Sequence, residues 1–99
     1  MLSWVLRAAT RQPVPLSSLQ LNEVVLLHLP AECFVQYQLE AQNRAPGSFV
    51  AAAAYGDGGP WYLPTKEEYA YGGYEVDVAF CEPSIDEILT VGIGQLLGQ

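Results

Sequence analysis

Residues 24–55, VVLLHLPAECFVQYQLEAQNRAPGSFVAAAAY, decide how this chain folds. Val24-Val25-Leu26-Leu27-His28-Leu29 is apolar at odd and even positions alike, which suits a central strand covered on both sides. Pro30 closes it. Phe34, Tyr37, Gln38 and Ala41 share one face of a helix expected over 33–44, and Pro46-Gly47 ends that helix. A second strand is expected over 49–55. Alanine favours helix, so the strand assignment of the four alanines rests on the flanking Phe49, Val50 and Tyr55 and on the short span between Gly47 and Gly56. Four small side chains in a row imply tight packing on both faces. Strand, helix, strand is a βαβ unit, with parallel strands and a right-handed crossover. Both strands then end at one edge of the sheet. Glu32 lies just past the first end and the 55–62 loop just past the second, where open α/β sheets bind their ligands.

Upstream, Trp4, Val5 and Ala8 would share a helical face within residues 1–10. Pro13 and Pro15 force an extended segment, and Leu16, Leu19 and Leu21 lead into the first strand. Downstream runs FVAAAAYGDGGPWYLPTKEEYAYGGYE, residues 49–75. Thr65 and Glu68 have the spacing of a capping box, and Tyr62 and Tyr74 bracket the helical turn that it would start. Residues 76–80 alternate as a short edge strand would. Pro83 suits the first turn of a last helix over 83–97, with Ile85, Ile88, Leu89, Ile93, Leu96 and Leu97 as its apolar stripe. Gly92 and Gly94 weaken it. The expected architecture is therefore α/β: a partial sheet holding one βαβ unit, a short edge strand and a C-terminal helix.

The 99 residues make one small domain, or a single part of a larger one. A chain of this size buries roughly 60–70% of its unfolded surface. The sequence is 51% hydrophobic and only 15% charged, so part of its surface is expected to lie against something else. Exposed apolar surface and self-association follow for the isolated chain. The net charge is −7, with only Arg7, Arg11, Arg44 and Lys66 positive. Four scattered cations build no basic face for nucleic acid and disfavour an anionic membrane surface. No run approaches the roughly 18–20 apolar residues of a membrane span. The opening MLSWVLRAAT lacks the flanks of a signal peptide, so none is expected in this chain. Cys33 and Cys81 form no CxxC and read as two buried thiols rather than a bridge.

Several residues have both a plain and a chemical reading. Glu32 reads as a carboxylate favouring a helix dipole, worth about 0.3–1 kcal/mol, or as a metal ligand or general base at the strand edge. Tyr62 and Tyr74 read as interface or core aromatics, or as phenols aimed into a cleft, as oxygen ligands or donors to a developing oxyanion. His28, inside an apolar strand, reads as a satisfied core histidine. Gly56-Asp57-Gly58-Gly59 is a weak phosphate-loop signal, since no GK[ST] follows. On composition alone the chain assembles no three-ligand zinc site.

LHLPAE followed by a helix, the alanine-rich strand, YGDGGPWYLPTKEEY and GGYE resemble the neutral (alkaline, non-lysosomal) ceramidase family, in particular the ceramidase-like hydrolases of bacteria. The similarity runs from about Leu16 to the C-terminus and covers the last part of that family's catalytic domain. The resemblance implies a zinc amidase that cleaves the N-acyl bond of ceramide to sphingosine and a fatty acid. In the family, two histidines, a glutamate and a tyrosine hold the zinc. The glutamate of the Pro-Gly-Glu motif matches Glu32, with Ala31 in place of the glycine. The tyrosine of the Tyr-Val-Thr-Thr-x-Glu-Glu-Tyr motif matches Tyr62, with Pro64 in place of a threonine. A second site tyrosine, before a glutamate, matches Tyr74 and is implied to hydrogen-bond the reacting group. The two zinc histidines, and the arginine and histidine expected near the amide, have no counterpart here. The resemblance thus implies half a zinc site, a ceramide-like substrate, and a partner in the missing part of the catalytic domain. Family members are often secreted or membrane-associated.

Overall fold

The computed structural model describes residues 2–56 and 61–99, apart from the side chains of Leu2 and Trp4. The Gly56–Gly59 loop signal therefore lies largely outside the described residues. The chain is mixed α/β. Helix α1 (Leu2–Ala9) precedes β1 (Ser17–Leu21), β2 (Val24–His28), the two-residue β3 (Glu32–Cys33), α2 (Val35–Arg44) and β4 (Phe49–Ala53). The two-residue β5 (Tyr62–Leu63) follows, then α3 (Lys66–Tyr71), α4 (Tyr74–Asp77) and α5 (Ile85–Leu96).

The βαβ unit forms as expected: β2 and β4 pair in parallel, Val24 to Phe49 through His28 to Ala53, with α2 as crossover. The extended lead-in is itself a strand. β1 pairs antiparallel with β2, giving the order β1-β2-β4. The hairpin turns at Asn22, whose φ of 55° is a region that asparagine tolerates better than most residues.

Among the described residues the buried core lies on one face of the sheet, contrary to the two-sided burial expected of β2. Val25, Leu27 and Leu29 are buried with Val50 under α2 and α5, where Tyr37, Ala41, Leu89 and Ile93 complete the core. Val24, Leu26 and His28 point the other way and are only half-buried. The alanines of β4 divide the same way: Ala52 packs on the core, while Ala53 is exposed. Their small size does not reflect packing on both sides.

The helix expected over 33–44 starts at Val35, because Cys33 is taken into β3. In place of an edge strand over 76–80, the chain forms the four-residue α4, and only Ala79 bridges to a strand-like partner, Trp61. Gly72 and Gly73, at φ 73° and 113°, turn the chain into α4 through a region that side-chain-bearing residues avoid. The last helix begins at Ile85 rather than at Pro83. Its glycines are clearances: a methyl group on Gly94 would collide with the Arg44 guanidinium, and one on Gly92 with Leu16. Arg44 uses that space to donate from Nη1 to the Thr90 carbonyl at 3.0 Å. Thr65 precedes α3 in N-cap position, but its side chain makes no cap bond. Asp86 of α5 caps instead, its Oδ2 accepting from the Lys66 amide at 2.6 Å.

Candidate functional site

The carboxyl ends of β2 and β4 are stitched together by backbone bonds. The Tyr55 amide donates to Ala31 at 2.9 Å and the Gly56 amide to Leu29 at 2.9 Å. Beyond them, β3 and β5 form a second, two-stranded parallel sheet in which Glu32 pairs with Tyr62 and Cys33 with Leu63. The Glu32 amide donates to the Trp61 carbonyl at 2.7 Å, and the Phe34 amide to that of Leu63 at 3.2 Å. Successive side chains in a strand point to opposite faces. Cys33 and Leu63 therefore go inward, against the core, and Glu32 and Tyr62 face outward together.

Two further phenols join them. Tyr55 Oη donates to Glu32 Oε2 at 2.9 Å. Tyr74, the first residue of α4, sets its ring edge-on to that of Tyr62, with centroids 6.2 Å apart and planes at 76°. A concavity beside Glu32 and Tyr62 has a volume of about 600 Å³, with Gln36, Glu68 and Glu75 also in its wall. That wall carries three carboxylates and no cation, so it disfavours an anionic ligand. A second edge-on pair, Trp61 with Phe80 at 5.2 Å, braces the segment behind.

Glu32 and desolvation together raise the pKa values of Tyr55 and Tyr62. The hydrogen bond to Glu32 raises the Tyr55 pKa above the usual phenol value. Desolvation, then the Glu32 charge, raises that of Tyr62. Both hydroxyls stay protonated at neutral pH and act as hydrogen-bond donors. The backbone is strained at the same places. Ala31 (φ 61°) stands immediately before Glu32, Trp61 (φ 64°) immediately before Tyr62, and Tyr55 itself is at φ 57°. Left-handed backbone costs a residue with a side chain about 1–2 kcal/mol, and such residues collect at functional sites.

Glu32, Tyr62 and Tyr74 thus lie together at one rim. Glu32 is in β3 and the first turn of α2 holds no acidic residue, so the helix-dipole reading of Glu32 is overturned. His28 is half-buried at the end of β2, with Ser17 Oγ 3.2 Å from Nδ1, on the face away from α2. Sequence reasoning missed Tyr55 as the partner of Glu32. The signal was present: Tyr55 ends the second expected strand, at the edge where Glu32 follows the first.

Among the described residues, no three of His, Cys, Asp or Glu stand together so that they could hold a metal ion. One oxygen of Glu32 is already engaged by Tyr55. This donor set does not make a self-contained zinc site. Among the described residues no helix is long and apolar enough to cross a membrane. No protein-family model, curated protein or solved structure matches the chain.

Proposed function

We propose that this chain carries one wall of the active site of a ceramidase-like amidase, acting on the N-acyl bond of ceramide-like lipids. The observation that carries the reading is that Glu32 and Tyr62, paired across β3 and β5, share one concavity, while the ring of Tyr74 on α4 stands edge-on to Tyr62. Those are the residues that the family resemblance marks. The zinc of a complete family enzyme would take Glu32 and Tyr62 together with two histidines that this chain does not contain. The chain by itself is therefore inactive.

The residues present have roles of their own. Tyr55 fixes the Glu32 carboxylate by donating to it. Tyr74, whose ring rests edge-on against Tyr62, presents a phenol that donates to the amide oxygen as negative charge develops there. The acidic wall suits a neutral amide that yields an amine, and it repels the fatty-acid carboxylate after cleavage.

A second reading, a non-catalytic binding or assembly module, is favoured by the incomplete donor set. One experiment separates the two. The reading frame upstream of Met1 is sequenced, and the joined polypeptide is assayed for fatty-acid release from an N-acylsphingosine, beside the present chain alone. The amidase reading expects upstream histidines, hydrolysis by the joined protein, and a loss of about 10²–10³ in rate for Tyr74→Phe. Hydrolysis by the short chain alone, or an undiminished rate in Tyr74→Phe, overturns the assignment. An upstream frame without those histidines leaves the module.

A further inference from the structure

The sheet has two outer edges, and they are finished differently. The Phe49 amide donates to Glu23 and the Leu29 amide to Ala53, so Phe49, Ala51 and Ala53 direct their backbone groups to β2. Val50 and Ala52 direct theirs outward. At each of those outward positions α2 takes one backbone group: Gln42 Nε2 donates to the Val50 carbonyl at 3.1 Å, and the Ala52 amide donates to Gln38 Oε1 at 3.0 Å. No further strand can add there without displacing these amides.

The same alternation fixes β1. Since Val24, Leu26 and His28 face β1, their partners Leu21, Leu19 and Ser17 point inward, and Ser18 and Gln20 direct their N–H and C=O groups away from the sheet. Ser18 and Gln20 are exposed, and among the described residues no side chain bonds this edge as Gln38 and Gln42 bond the other. Proteins commonly guard an edge with charge, proline or a bulge. The β1 strand, Ser-Ser-Leu-Gln-Leu, has none of these.

We propose that β1 is a pairing edge for a second copy of this chain, the two β1 strands adding antiparallel about a two-fold axis at Leu19. A strand edge is complementary to itself in this arrangement: Ser18 exchanges both backbone bonds with Gln20 of the other copy, and the reverse. The charge-free segment brings no like charges together in a chain of net charge −7. Leu19 meets Leu19 in a close, non-hydrogen-bonded pair, on the face where Leu19 and Leu21 are 47% and 57% exposed. The two three-stranded sheets become one of six strands. Because Gln38 and Gln42 of α2 obstruct each β4 edge, growth stops at two copies and gives no fibre.

The test uses the whole chain. Light scattering at about millimolar concentration reads the mass, and amide exchange reads Ser18 and Gln20. The expected result is a dimer in which those two amides gain protection as concentration rises. Leu19→Cys, treated with oxidised glutathione, is expected to give a disulfide-linked dimer that the unsubstituted chain does not. Gln20→Pro, which removes one outward N–H at a position where an edge strand tolerates proline, is expected to weaken the dimer at least tenfold. A monomer at that concentration overturns the proposal. So does a dimer that forms equally well with Gln20→Pro while Leu19→Cys fails to cross-link, because the contact then lies on another surface.

Discussion

Two pairs of residues, side by side in the same two short strands, have opposite fates. Cys33 and Leu63 turn inward, and Leu63 is 2% exposed against the core. Glu32 and Tyr62, one position earlier, turn outward into an acidic, aromatic concavity. The inward pair stabilises the molecule by removing apolar surface from water, roughly 25 cal/mol for each Å² buried. The outward pair adds little of that, and the residues immediately before it, Ala31 and Trp61, stand in strained backbone. The inward pair anchors the strands, and the outward pair is displayed on them.

The largest expected effect breaks the inward pair. Leu63→Ala should cost about 2–5 kcal/mol of stability, whereas Tyr62→Phe beside it should stay within about 0.5 kcal/mol. Urea denaturation of the two variants measures the contrast directly, and equal losses would dissolve it.

A smaller effect comes from alkaline pH. Burial, with a further contribution from Cys81, pushes the Cys33 thiol from 9.0 up to about 12. The unfolded chain releases this proton near pH 9 while the folded chain keeps it. The contribution to stability is therefore fully present below pH 9 and is lost as pH rises toward 12, by at most about 1.4 kcal/mol per pH unit. Cys33→Ala should show a shallower decline across that window in pH-dependent melting. An unchanged slope would mean that the thiol is not sheltered as the inward position requires.

The strand–helix–strand unit was legible because its apolar runs are long enough to show a period, and Pro30 and Pro46-Gly47 mark their ends. The short elements were not. β3 and β5 have two residues each, too few for alternation to register. Val76 and Val78 alternate like a strand, yet Gly72-Gly73 redirects the chain into a helical turn. The cap of α3 comes from Asp86, twenty residues away, which local spacing cannot reveal. The apolar character of both faces of β2 signalled two coverings, although the buried core among the described residues lies on one face. Glu32 stood out by its place at the strand edge and Tyr62 and Tyr74 by bracketing a helical turn, with the motif resemblance adding their roles, while the pairing of Tyr55 with Glu32 came from the geometry.

The most direct measurement is a carbon-edited NOESY spectrum of the intact chain, reading aromatic cross-peaks between Tyr62 and Tyr74. With ring centroids 6.2 Å apart and edge-on, their protons should give strong mutual cross-peaks that vanish in Tyr74→Leu. Absence of those peaks in the unsubstituted chain would place the two phenols apart and contradict the shared site.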